Sequence, residues 1–124
     1  MLRILLSFSF ITIFSYFKPQ YLSSSEFVVS EIDDKVYVHF GVQEDSNIYN
    51  KGDIANIGFI VGEKSVLVID TGGTEKIARN LLKKIKQKTS LPISHVVITH
   101  GHPDHYLGSS IFNNLNIPLS LIHI

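Results

Sequence analysis

The chain has 124 residues, 11 basic and 11 acidic side chains, no cysteine and 44% apolar residues. That size bounds it to one small domain at most, and the balanced charge gives no reason to expect nucleic acid or an anionic membrane surface as partner. Without cysteine, disulfides and thiolate metal sites are both excluded, so any metal must be held by His, Asp or Glu.

Arg3 is followed by an uncharged, strongly apolar run over residues 4–17 and then by Lys18-Pro19. A basic start and a short apolar core are the layout of a secretory signal peptide. As helix the run spans only about 21 Å, short of the roughly 30 Å hydrocarbon layer of a bilayer. Residues 1–25 are therefore expected to be a signal peptide that exports the chain, with an uncleaved membrane anchor as the alternative because no Ala-x-Ala site follows. Residues 26–124 form the remaining domain.

Residues 27–32 and 36–40 are β-rich runs around Asp33-Asp34-Lys35, a connection that suits a tight hairpin. Residues 41–55 break all periodicity and make a loop longer than most connections inside a compact domain; such loops are usually functional or disordered. Residues 56–61 and 65–70 read as a second strand pair around Gly62-Glu63-Lys64. After Thr71-Gly72-Gly73, Thr74 can cap a helix from Glu75 to about Thr89. Its apolar residues Ile77, Ala78, Leu81, Leu82 and Ile85 share one face. The other face carries Lys76, Arg79, Lys83, Lys84, Lys86 and Lys88, which read as a solvated face, with an anion or membrane patch as the sharper alternative. Residues 93–99 form the next buried strand, so strand, helix and strand make a βαβ unit, whose ligands gather at strand ends. A short helix over about residues 106–113 and a strand over residues 117–124 follow.

The last turn before that helix holds the chemistry. His100-Gly101-His102-Pro103-Asp104-His105 places three imidazoles and a carboxylate within six positions at the end of an apolar strand. Gly101 and Pro103 argue for a loop in which alternate side chains converge. His100 and His102 could then chelate one ion while Asp104 and His105 turn toward a second. Two adjacent metals could share a water, lower its pKa and present hydroxide to an electrophile, which is hydrolysis without a protein nucleophile. The remaining histidines, His39, His95 and His123, are expected to be structural or solvated. Thr71-Gly72-Gly73 lacks the Lys and spacing of a phosphate-binding loop.

At His100, His102, Asp104 and His105 the sequence resembles the metallo-β-lactamase superfamily, and the strand ending in Asp70-Thr71-Gly72-Gly73 extends the resemblance. The resemblance implies the N-terminal half of an αββα sandwich, an α/β fold with a mixed sheet and helices on one face. It implies that His100 and His102 bind one metal, that Asp104 and His105 bind the other, and that Asp104 also orients or deprotonates the attacking water. Asp70 is implied as support behind the metals. Zinc is the expected metal, two ions in a complete domain, with iron or manganese in relatives, and the substrate a small ester, thioester, lactone or amide. Residues 52–62, with Val36-Tyr37-Val38-His39 before them, are similar to an exported branch of these enzymes associated with quinoprotein systems. That likeness puts the 41–55 loop over the metal pocket, against the alternative of a surface loop with no contact. Because further family ligands are absent downstream and His123 lies too close to the motif, the chain is expected to be a fragment. It would either work with a complementing C-terminal half or persist as a non-catalytic, membrane-anchored remnant with a vestigial site.

Overall fold

The computed structural model describes residues 26–122. The expected signal peptide or anchor and His123 lie outside the described residues. Among the described residues no helix is long and apolar enough to cross a membrane.

A six-stranded mixed sheet runs in sequence order. Strands β1 (Ser30–Asp33), β2 (Val36–His39), β3 (Ile57–Val61) and β4 (Val66–Ile69) form an antiparallel meander. Helix α1 (Glu75–Lys88) then crosses over to β5 (Ile93–Ile98), which lies parallel to β4. A helical turn α2 (Pro103–Tyr106), a 3₁₀ turn (Leu107–Ser109) and α3 (Ser110–Asn113) lead to β6 (Leu119–Leu121), parallel to β5.

Alternation along the central strands sends Ile57, Phe59, Val66, Val68, Val96 and Ile98 to one face. There they bury against Ile77, Ala78, Leu81 and Ile85 of α1 and Ile111 and Phe112 of α3. Burying an aliphatic side chain of this size is worth about 2 kcal/mol, which makes this face the main source of stability. The alternate residues Ile60, Leu67, Ile69 and Val97 are only half-buried on the opposite face. The helices thus cover one face of the sheet, as expected.

Helix α1 starts where Thr74 accepts a hydrogen bond from the Ile77 N–H and ends at Thr89, whose N–H donates to the Ile85 carbonyl at 3.0 Å. Three boundaries differ from expectation, the first being β6, which begins at Leu119, two residues late. Strand β1 begins three residues late, because Phe27 leaves the sheet to stack on His39 with ring centroids 3.8 Å apart. Pro103 does not prevent helix: it occupies the first position of α2, where a missing N–H costs nothing. The basic face of α1 is also less solvated than its composition suggests. Lys84 pairs with Glu26 at 3.0 Å, and the Lys88 ammonium lies 4.9 Å from the Tyr37 ring centroid.

Candidate metal centre

The carboxyl ends of β4 and β5 meet at Asp70. Its backbone is left-handed, with φ of 58°, a conformation that Asp tolerates better than most residues. This bend lets the Asp70 N–H donate to the Val97 carbonyl at 2.9 Å while its side chain turns under the following strand end. Asp70 is 2% exposed, so its carboxylate must be fully partnered. Oδ1 accepts the Thr99 N–H at 2.8 Å, and Oδ2 accepts both the Thr99 hydroxyl and the His105 ring, each at 2.8 Å.

These bonds assign the tautomers of two histidines. The carboxylate can only accept, so His105 carries its proton on Nδ1 and leaves Nε2 with a free lone pair. The Thr99 hydroxyl has spent its single proton on Asp70, so at 2.9 Å it must accept from His100 Nδ1, which frees Nε2 of His100. The freed nitrogens face donors from the same motif. His100 Nε2 lies 3.1 Å from His102 Nδ1, and His105 Nε2 lies 3.5 Å from Asp104 Oδ2. The His100 and His105 ring centroids are 4.1 Å apart, so the two pairs adjoin.

Two ligand atoms on one tetrahedral zinc stand about 3.3 Å apart, given metal–ligand distances near 2.0–2.1 Å. Both pairs match that spacing. In the metal-free chain the His102 Nδ1 proton bridges the first pair, because two lone pairs at 3.1 Å would repel; a cation can take that proton's place. The donor set therefore fits divalent metal in its chemistry and spacing, two donors at a time. Among the described residues no group of three His, Asp or Glu side chains could hold a single ion.

Helix α2 sets the second pair. Asp104 and His105 are consecutive in its one turn rather than alternating in an extended loop, and the His105 N–H donates to the His102 carbonyl at 3.0 Å. The His105 carbonyl accepts from the backbone N–H of Thr71 at 2.7 Å and from its hydroxyl at 3.1 Å. Thr71 and Thr99 are thus positioning residues that sequence reasoning missed. Their partners are 34 and 29 residues away, and the only signal was that each adjoins a residue already singled out. Gly108, next along, is fixed by space: a Cβ there would collide with the Thr71 carbonyl and with Ala78 of α1.

The 41–55 loop reaches this centre. A Cβ on Gly73 would stand 2.7 Å from the Gly52 carbonyl oxygen and 3.2 Å from Asp104 Cα, so the loop backbone, Gly73 and Asp104 form one packed corner. The loop is tied back at Asp53, whose Oδ1 lies 2.7 Å from His39 Nε2, while His39 Nδ1 donates to the Val28 carbonyl at 2.7 Å. Burial alone would push the His39 pKa down, but the Asp53 carboxylate and the Val28 carbonyl outweigh it and hold the pKa above the ordinary value. His39 is structural, and His95 is exposed on β5.

The sequence profile of the metallo-beta-lactamase superfamily matches residues 50–118, which take in the C-terminal part of the loop, both strands of the crossover and the whole histidine motif. The chain belongs to the metallo-beta-lactamase superfamily. Among curated relatives, the alkyl/aryl-sulfatase BDS1 of Saccharomyces cerevisiae is 39% identical over 57 residues, covering 45% of this chain and 9% of that protein. Among solved structures, TMB-1, studied for substrate and inhibitor binding, superposes with a TM-score of 0.60 at 22% identity. The match covers 76% of this chain and 42% of the TMB-1 chain, and shows a shared fold. This chain therefore spans less than half the length of either protein.

Proposed function

We propose that the chain supplies one wall of a zinc hydrolase centre, with His100 and His102 holding one ion and Asp104 and His105 the other. The observation that carries this reading is that Thr99 and Asp70 engage Nδ1 of His100 and of His105, which turns both Nε2 atoms toward the other donors of the motif. Zinc bound there supplies Lewis-acid polarisation of an acyl or ester oxygen and lowers the pKa of water. On this reading Asp104, whose side chain is one-quarter exposed, would orient the attacking water and accept its proton. Asp70 holds His105 in the liganding tautomer, and Thr99 does the same for His100. Iron or manganese would be accepted by the same nitrogen and oxygen donors.

The substrate class is a small ester, thioester, lactone or amide, and the name of the yeast relative adds sulfate esters. The half-buried Ile60, Leu67, Ile69 and Val97 and the two-donor pairs support a complementing C-terminal half that covers this sheet face and completes the coordination. Export to the periplasm or outside the cell is part of the same reading and rests on the sequence of residues 1–25.

A second reading is a non-catalytic chain with a vestigial site, favoured by the lack of any three-donor group among the described residues. Metal analysis separates the two. The 124-residue chain alone is expected to bind zinc weakly and substoichiometrically; two tightly held ions per chain would contradict the two-donor account. With the complementing half present, hydrolysis of a panel of chromogenic esters and thioesters is expected, and Asp104→Ala should abolish it. Absence of turnover across the panel, with zinc bound, would favour the vestigial reading.

A further inference from the structure

A cavity of about 390 Å³ lies between the basic face of α1 and the 41–55 loop. Its volume is within the range of small-molecule sites. None of Asp70, Thr99 or the residues of the histidine motif borders it. Lys51 comes from the loop and Lys76, Lys83 and Lys84 from α1, so four cations of a chain with no net charge face one space. Three of these lysines, Lys51, Lys76 and Lys83, are exposed and Lys84 is half-buried, and they border the cavity from two separate elements. Phe27 and the exposed Tyr49 add apolar surface to the wall.

Only two carboxylates border the cavity, and neither neutralises it from outside. Asp53 is already engaged by His39 at 2.7 Å. Glu26 stands at the rim of the cavity, its own side chain 80% exposed, with its Oε1 3.0 Å from the ammonium of Lys84, whose side chain is 20% exposed. The chain's own carboxylate thus pairs with the least exposed of the four lysines, at the edge of the cavity. The Lys84 hydrogen bond and charge, reinforced by Lys83, hold the Glu26 carboxyl below its ordinary pKa.

We propose that this cavity is a binding site for a small organic carboxylate with an aromatic or apolar body, and that Glu26 occupies the carboxylate position in the free chain. The ligand's carboxylate takes the Lys83 and Lys84 ammonium groups, and its body lies against Phe27 and Tyr49. The proposal does not rest on the hydrolase reading, and no residue of the histidine motif borders the cavity.

The test is a titration of the ¹⁵N-labelled 124-residue chain with sodium benzoate, in chelator-treated buffer at constant ionic strength, followed by amide chemical shifts. Saturable shifts confined to residues 49–51, 76 and 83–84 are expected. Lys83→Gln, which disturbs no internal ion pair, should weaken binding about tenfold, the effect of one charge-assisted hydrogen bond. Glu26→Gln should instead tighten binding several-fold, because it removes the competing carboxylate. Shifts that stay linear with concentration, shifts that map to the histidine motif, or an affinity that Glu26→Gln leaves unchanged or weakens would each overturn the proposal.

Discussion

His39 and His105 both bind a carboxylate at hydrogen-bond distance, yet they are built for opposite purposes. His39 has acceptors on both ring nitrogens, the Val28 carbonyl and the Asp53 carboxylate, so its surroundings favour the doubly protonated ring and raise its pKa. His105 has Asp70 on Nδ1 alone, and its Nε2 opens toward Asp104. What separates the two rings is the second nitrogen, hydrogen-bonded in His39 and, in His105, facing Asp104 Oδ2 at 3.5 Å without a hydrogen bond. Burial does not make the distinction, since His105 is also largely covered, with 17% of its side chain exposed.

The largest test of this contrast is Asp70→Asn. The amide keeps the size of Asp70 but cannot accept at every oxygen position, so His105 and Thr99 lose their orientation. Zinc affinity measured by competition with a chelator should fall about tenfold to hundredfold. An unchanged affinity would mean that Asp70 supports only the fold. His39→Ala should show the reverse pattern: zinc affinity unaltered, and folding stability in urea lower by about 2 kcal/mol, because Asp53 loses a charged partner and the loop its tie. Thr99→Val removes only the hydroxyl that fixes His100. Its expected effect is smaller, a several-fold loss of zinc affinity with the fold retained. The smallest effect concerns pH. The folded-state pKa of His39 is raised, so its contribution to stability is fully present below the unfolded value of about 6.5 and is lost as pH rises through the folded value. The stability gap between the native chain and His39→Gln should therefore narrow in urea titrations from mildly acidic to mildly alkaline pH. A gap that widens would place the charge elsewhere.

Which parts were legible in the sequence follows the same contrast between local and distant partners. The histidine motif is contiguous, and strand alternation and the α1 face are periodic, so the candidate donors, the βαβ crossover and the one-sided helix layer could be read directly. Asp70 was legible through the family resemblance, since as a lone strand-end aspartate it carries no signal of the partners 29 and 35 residues away. Thr71 and Thr99 act through similarly distant bonds and were not read. His39 was correctly placed among the structural or solvated histidines, but its tie to Asp53 lies across an aperiodic loop that no pattern describes. Pro103 was read as a helix breaker because the residue type alone does not distinguish an interruption from a first helical position. Strand β1 slipped because Phe27 prefers the His39 ring to a place in the ladder, a choice made by tertiary packing.

The ring nitrogens themselves give the most direct measurement. Long-range ¹H–¹⁵N spectra of the imidazoles, recorded before and after zinc is added, report which nitrogen holds each proton. The account predicts Nδ1-protonated rings for His100 and His105, zinc-dependent shifts at their Nε2 atoms, and His39 resonances that zinc does not move. Nε2-protonated His100 or His105 in the free chain, or a His39 ring that responds to zinc, would contradict it.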